Sequence, residues 1–330
     1  MLYNEGCVEG AKKYIEDESI GLGIHDPPFG ISEKSFDKHY NRKESNVVEG
    51  YVEAPEDYYK FSLEWIEQAS RILEPSGSMY IISGWSNADI IGSAIRKLKL
   101  HVRNKIIWNF NFGVYTKKKY VTSHYEIFHV VKNKNVQPVF NTFCRHGMQE
   151  KDSEGKSVLY NDLSSVWQIN KEYHTEQEKN QNKLPEELIK KMILYSSNKG
   201  DRVCDFFLGN FTTAISSKKT GRIPVGFELN GIRFDEKVKV VQSTEEGKLP
   251  IVENITPLNQ GKRFSEEEIL EIYSYVDDNY FIKKKSKIIK ELQEKYQRGK
   301  FSIKNVVDKY CEDRNKNNDG FKMESDIFFK

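Results

Sequence analysis

Short apolar runs alternate with helix-spaced apolar positions over most of the chain. Val8 to Ile15 carries helical spacing, and Ile20-Gly-Leu-Gly-Ile24 is a strand-length apolar run. That run stops abruptly at His25-Asp-Pro-Pro-Phe-Gly30, because neither proline can donate to a sheet ladder. Asp26 is therefore predicted at the carboxyl end of a parallel strand, where open α/β sheets bind ligands.

Residues 31–54 are polar and aperiodic, which predicts a mobile loop. A helix is expected from Pro55 to Leu73, with Tyr58, Phe61, Trp65, Ile66, Ala69 and Ile72 on one side. Glu74-Pro-Ser-Gly77 predicts a turn into a strand over Ser78–Ser83. A helix over about 87–98 and strands over about 101–109 and 124–132 follow. Residues 133–182 are polar and irregular. A second α/β run then comprises helix Pro185–Ser196, strand Arg202–Phe206, a glycine-containing loop, helix Thr212–Lys219 and strand Pro224–Glu228. The pattern fades over 236–262 into a linker, turns helical over 263–312, and ends in a loose tail over 313–330. This alternation predicts an α/β fold with a doubly wound, mostly parallel sheet and a small all-helical C-terminal module.

Composition narrows the class. In 330 residues, 38% hydrophobic and 12% aromatic content supports a sizeable core and excludes global disorder. The 51 basic and 49 acidic side chains nearly cancel, so any attraction for nucleic acid must come from local patches. Cys7, Cys144, Cys204 and Cys311 lack the paired spacing of a zinc site or disulfide framework, and a reducing compartment is expected. No apolar run approaches the ~18 residues a membrane span needs. With no signal-peptide stretch at the start, a soluble cytoplasmic protein is expected.

Asp26-Pro27-Pro28-Phe29 has a chemical rationale. An exocyclic amine on a nucleobase is a poor nucleophile, because its lone pair is delocalised into the ring. A carboxylate (Asp26) and a carbonyl (Pro27) that each accept one N–H bond draw the nitrogen towards a tetrahedral form. Proline's fixed φ helps aim that carbonyl, and Phe29 offers a face to a base taken out of its stack. The plainer reading is a strand-ending turn with an Asp cap. The second motif, Asp205-Phe-Phe-Leu-Gly209-Asn-Phe-Thr-Thr213, joins a predicted strand to a predicted helix. Gly209 permits close backbone approach to a ligand, and Glu228 lands at the next strand end, a place suited to ribose hydroxyls. An ordinary βαβ unit with a glycine turn would read the same.

Taken together and in this order, the two motifs resemble the β-type amino-methyltransferases of DNA. The resemblance covers residues 3–230. It includes Asn4-Glu-Gly-Cys7, Arg71-Ile-Leu-Glu-Pro-Ser-Gly77, Ile106-Ile-Trp-Asn109, Ser123-His-Tyr-Glu126 and Asn182-Lys183. It ends with Gly200-Asp-Arg-Val-Cys-Asp205 and Gly221-Arg-Ile-Pro-Val-Gly-Phe-Glu228. It implies a permuted, seven-stranded-type methyltransferase sheet over 1–235, catalytic half first, with 133–182 as a target-recognition insert. It implies S-adenosylmethionine held by Asp205, Phe206, Phe207, Gly209, Asn210, Thr212, Glu228 and Asn230, with Lys183 near its carboxylate and no metal. Methyl transfer would be a direct in-line displacement. Three departures stand out: Phe211 where a second glycine is common, Leu184 between the lysine and proline, and Phe29 in place of tyrosine. The family's adenine enzymes usually begin the catalytic motif with Asp and its cytosine-amine enzymes with Ser, so Asp26 favours adenine.

Lys117-Lys118-Lys119 between Tyr115 and Tyr120 is a basic–aromatic cluster suited to phosphates, or else a solvated loop. His124 and Glu126 lack a third partner at ligand spacing, and structural roles are expected. Ser265-Glu-Glu-Glu268 is a capping-box signature opening a helix to Tyr280; Lys283 leads a second to Tyr296, and Ile303–Tyr310 makes a third. Three short helices resemble a helix-turn-helix module, with Lys300, Ser302, Lys304 and Asn305 near the start of a recognition helix; a helical cap is the alternative. The expected partner is double-stranded DNA, with a homodimer and a cognate restriction enzyme left open and a nucleoid-associated location. Competing readings are a cytosine-N4 or RNA enzyme, an inactive DNA-binding regulator of the same fold, and a small-molecule or protein methyltransferase.

Overall fold

The structure, a computed structural model, describes residues 1–29, 57–111, 113, 115, 117–118, 120–147, 155–171, 183–247 and 263–317. The loop expected over 31–54 lies outside the described residues, as do Lys119 and residues 318–330 of the tail. The described residues form two compact units, Met1–Asn254 and Ile255–Lys330.

In the first unit, eight strands make one sheet. They are β1 (Leu2–Tyr3), β2 (Ile20–His25), β3 (Leu73–Ser83), β4 (His101–Asn109), β5 (His124–Val131), β6 (Val166–Gln168), β7 (Arg202–Asp205) and β8 (Ile223–Phe227). The order is β1-β8-β7-β2-β3-β5-β4-β6. Only β5 runs against its neighbours, β3 and β4. Among the described residues seven helices accompany it: α1 (Cys7–Tyr14), α2 (Tyr58–Ile72), α3 (Ala88–Lys97), α4 (Val158–Leu163), α5 (Glu186–Ser196), α6 (Thr212–Lys219) and α7 (Gly231–Ser243). The mostly parallel, helix-flanked sheet is the one expected, with two-residue β1 bringing the strands to eight.

Strand periodicity builds the two cores. Along β3, Met79 and Ile81 join one buried cluster with Trp65 and Ile66 of α2 and Ile91 and Ile95 of α3. Tyr80 and Ile82, one position out of phase, join the opposite cluster with Leu188, Ile189 and Met192 of α5. Burying each of these large apolar side chains is worth about 1.5–3 kcal/mol, enough to fix the strand registers.

Several boundaries differ from expectation. The turn at 74–77 is absorbed into β3, and the ladder takes up the irregularity between Ile20 and Leu22. Residues 133–182 contain α4 and β6, and β6 extends the sheet beside β4. Short segments with one apolar anchor, such as Trp167, carry little periodicity to detect. The predicted linker from 236 begins too early, since α7 runs to Ser243 around a single buried residue, Val241. Residues 148–154 and 172–182 lie outside the described residues.

The second unit contains α8 (Glu266–Asn279), α9 (Lys285–Tyr296) and α10 (Lys300–Asn317), around a core of Ile272, Val276, Ile288, Leu292, Ile303 and Val307. The capping box is present: Ser265 accepts from the Glu268 N–H, and Glu268 accepts from the Ser265 N–H at 2.8 Å. Gln297 turns the chain between α9 and α10 in the left-handed region. The third helix is longer than predicted, from Lys300 to Asn317. Among the described residues no helix is long and apolar enough to cross a membrane.

Candidate active site

From β7 the chain crosses through α6 to β8 on one side, and from β2 through α2 to β3 on the other. The β7–β2 boundary is thus the point where strand order reverses, and the crevice outside the carboxyl ends of such a pair is the site that parallel α/β sheets offer to ligands. Leu22 pairs with Val203 and Gly23 with Cys204, which brings the residues after β2 beside those after β7. Asp26 and Asp205 consequently meet at this crevice.

Asp26 is half-buried, and its Oδ1 is fully shielded with no hydrogen-bond partner among the described residues. A shielded, unpartnered carboxylate oxygen is costly, and such groups in native folds call for an explanation. Burial first, then the Asp205 charge, push the Asp26 carboxyl up to about 7, while Lys171 pulls the other way. His25 beside it is buried with its ring edge-on to Trp65 and Phe206, and burial holds it down to about 3, hence neutral. Its Nδ1 accepts from the Phe206 N–H at 3.3 Å, tying the two strand ends together. Pro27 is buried, and Asn87 donates through Nδ2 to the Phe29 carbonyl, which closes the Asp-Pro-Pro-Phe turn against the start of α3.

Across the crevice, Asp205 is buried, and burial raises its carboxyl to about 7 against the opposing hydrogen bonds from Thr213 and the Phe207 N–H. Gly209 sits at φ +50° and donates its N–H to Oε2 of Glu228 at 2.9 Å; Oε1 accepts from the Asn230 N–H at 2.9 Å. Gly226 of β8 must be glycine, since a Cβ there would lie 2.5 Å from the Asp205 carbonyl oxygen. The departure at Phe211 has a structural answer. Its backbone takes the left-handed conformation, φ +59°, that a glycine would adopt freely, while its ring is wholly buried with Leu208, Ala214 and Val241 and meets Phe234 edge-on.

The expected ligand residues divide by environment. Phe206 turns its ring into the core between His25 and Phe227, leaving main-chain groups for the crevice. Phe207 is half-buried against Phe61 and Trp65. Asn210 is half-buried, Thr212 is buried, and Asn230 caps α7 by accepting from the Arg233 N–H. Lys183 immediately precedes the Leu184-Pro185 entry to α5, and Leu184 packs on the core beneath the sheet.

A wall of aromatic rings that sequence reasoning missed flanks Phe29. Tyr125 of β5 lies 5.2 Å from Phe29 between ring centroids, with Phe110 at 5.1 Å and Trp108 at 5.6 Å from Tyr125. Lys171, just after β6, holds its Nζ 4.4 Å from the Phe110 centroid and 4.9 Å from that of Tyr125. The signal is partial: Tyr125 lies in the family-like stretch Ser123-His-Tyr-Glu126, but Lys171 lies in a segment without periodicity.

The β4–β5 connection leaves the same sheet edge as Asp26, because β4 is parallel to β3. Lys117, Lys118, Tyr115 and Tyr120 on it are exposed. His124 opens β5, and Glu126 pairs with Lys105 across the ladder at 2.6 Å. In the second unit Ser302, Lys304 and Asn305 are exposed on the first turns of α10, and Lys304 pairs with Asp308 at 2.5 Å. No cluster of His, Cys, Asp and Glu able to hold a metal is present among the described residues.

A family model for DNA methylases matches residues 20–237. The type II methyltransferase M.BamHI of Bacillus amyloliquefaciens is 33% identical over 242 residues, spanning 69% of this chain and 54% of that protein. The DNA adenine methyltransferase YhdJ of Escherichia coli K12 is 32% identical over 236 residues, 66% of this chain and 74% of that one. Among solved structures, a Thermus thermophilus protein complexed with S-adenosyl-L-methionine superposes with a TM-score of 0.53 at 19% identity, covering 74% of this chain and 94% of that one. At that identity the likeness establishes the fold. The chain thus spans about half the length of M.BamHI and three quarters of YhdJ.

Proposed function

This chain belongs to the N6/N4 family of DNA methylases, and from that membership we propose that it transfers a methyl group from S-adenosylmethionine to the N6 amine of adenine in duplex DNA. The observation that carries the reading is the Oδ1 of Asp26, shielded and unpartnered among the described residues, at the β2–β7 switch point beside Asp205 and the Gly209–Glu228 turn.

The donor set fits the cofactor. The Gly209 turn allows close main-chain approach, and the Glu228 carboxylate stands at a strand end suited to ribose hydroxyls. Asp205, Phe206, Phe207, Asn210, Thr212 and Asn230 would line the rest, and Lys183 would meet the amino-acid carboxylate. When bound, the cofactor supplies an activated methyl group on a sulfonium, which departs as a neutral thioether. The chain's own part is positioning. Asp26 accepts one N–H of the amine and the Pro27 carbonyl the other. With its carboxyl raised to about 7, Asp26 is ionised in part at neutral pH and basic enough to take the proton the methylated amine sheds. Phe29, backed by Tyr125, supports the extruded ring.

Lys117 and Lys118 would grip backbone phosphates beside the crevice, and Lys119 belongs to the same basic run in sequence. The second unit would contact duplex DNA through Lys300, Ser302, Lys304 and Asn305; the Gln297 turn between α9 and α10 favours that helix-turn-helix reading. The proposal extends to a homodimer, a cognate restriction endonuclease and a cytoplasmic, nucleoid-associated location. The adenine assignment rests on Asp26 and on the name of YhdJ.

The test is methyl transfer from labelled cofactor to duplex DNA, followed by nucleoside analysis. N6-methyladenine from the wild type, none from Asp26→Ala, and unchanged cofactor binding by that variant are expected. N4-methylcytosine would overturn the base assignment. Equal transfer by Asp26→Ala would overturn the role of Asp26.

A further inference from the structure

Lys171 is fixed with unusual care for a residue in an irregular segment. The Ile169 N–H donates to the Asn109 carbonyl at 3.1 Å, and Trp108 Nε1 donates to the Ile169 carbonyl at 2.8 Å. The chain two residues on therefore returns over the end of β4, where the Lys171 ammonium lies against the faces of Phe110 and Tyr125. A cation within about 6 Å of two ring centroids is held by both quadrupoles. Tyr125 in turn backs Phe29, three residues from Asp26.

The groups around Asp26 oppose one another. From the end of β7 comes Asp205, itself next to Glu228. His25 on the same strand is neutral. On β5 the Tyr125 ring meets Phe29, and Glu126 is paired with Lys105. Among the described residues, the positive charge that acts on the Asp26 carboxylate is that of Lys171, against burial and the Asp205 charge. Without a counter-charge, a shielded carboxylate beside a second one would stay protonated and donate rather than accept.

We propose that Lys171 is a positioning residue: clamped over Phe110 and Tyr125, its ammonium keeps Asp26 in the ionised, accepting form against Asp205 and braces the ring wall behind Phe29. This rests on the reading of Asp26 as the amine acceptor.

The test compares the full-length wild type, Lys171→Met, which keeps the stem and loses the charge, and Lys171→Arg. Rates of methyl transfer are followed from pH 5.5 to 9.5 at saturating cofactor and DNA. The Asp26 carboxyl is titrated by carbon-13 NMR, assigned with Asp26→Asn. For Lys171→Met the acid limb of the rate and the NMR midpoint should both rise by about one pH unit. That is a loss of about tenfold at pH 6.5 and less than about threefold above pH 8.5. Lys171→Arg should retain the wild-type midpoint. Lys171→Gln is the second neutral variant should Lys171→Met fail to fold. A midpoint unmoved in the neutral variants, whatever the rate, overturns the proposal while leaving the role of Asp26 intact. A wild type that methylates no DNA overturns both.

Discussion

The Gly209 N–H donates to Glu228 Oε2 at 2.9 Å, so the turn after β7 is pinned to the end of β8 by a carboxylate. The other oxygen accepts from the Asn230 N–H at the same distance. Glu228→Gln keeps the shape but must present its NH2 to one of these N–H donors. An unsatisfied donor costs about 1–3 kcal/mol, and on the proposed role a charge-assisted bond to ligand hydroxyls would be lost as well. Cofactor affinity should fall about 10- to 100-fold by titration calorimetry, with a lower Tm. An unchanged Kd would remove Glu228 from the binding site.

Asp26 also makes the fold pH-sensitive in a calculable direction. Its folded carboxyl is raised from 3.8 to about 7, so over that window the native state holds a proton the unfolded chain releases. Stability from this group is full below pH 4 and is lost as pH rises to about 7. Asp26→Asn removes the titration. It should therefore be more stable than the wild type at pH 8, by roughly 1–3 kcal/mol, and about equal to it at pH 4. Urea denaturation at the two pH values decides; a greater gain at pH 4 would contradict the burial of Asp26.

Phe211 sets backbone strain against packing. A non-glycine residue in the left-handed region costs of order 1–3 kcal/mol, whereas truncating a buried Phe costs about 3–5 kcal/mol. Phe211→Gly relieves the first and forfeits the second, for a net loss of about 2 kcal/mol. Phe211→Ala, keeping the strain, should be worse than Phe211→Gly. Denaturant midpoints for the two variants provide the check, and the reverse ranking would show that the ring contributes little.

The sequence was most legible where pattern and chemistry coincide. The apolar run before Asp26, stopped by Pro27 and Pro28, and the glycine between β7 and α6 are readable as two strand ends from spacing, and the family resemblance joins them into one crevice. What could not be read is what depends on long-range packing. β6 is three residues with one buried side chain, and only its pairing with Ile107–Asn109 makes it a strand. Lys171 inherits that illegibility: its place over Phe110 and Tyr125 exists only once β6 has joined the sheet. Phe211 was visible as a departure, but its left-handed backbone with an inward ring was not, because propensity opposes the first and tertiary burial decides the second.

β6 reaches its place through a polar clamp, and the clamp predicts the last outcome. Asp162 on α4 accepts from the Tyr195 hydroxyl and from Lys191 Nζ at 3.2 Å, and forms an ion pair with Arg145 Nε at 3.3 Å; Arg145 also pairs with Glu187 at 2.6 Å. The Lys191 side chain is only 7% exposed, and its ammonium lies 4.7 Å from the ring centroid of Trp167 on β6. Burial pushes the Asp162 carboxyl up, but the Tyr195 hydroxyl, Lys191 and Arg145 outweigh it and hold the group below its ordinary 3.8. A depressed folded value means the contribution is present above pH 3.8 and is lost as pH falls below it. Asp162→Ala strands a buried ammonium, a change that typically costs about 3–5 kcal/mol. The variant should therefore lose about that much stability at pH 7 and progressively less as pH falls below 3.8. Because β6 carries the chain on to Lys171, methyl transfer should drop more than cofactor affinity does. Denaturation at pH 7 and through an acid series below pH 3.8, and a Kd measured beside the rate, test this. Equal loss of rate and affinity would mean that α4, β6 and the crevice are not mechanically linked.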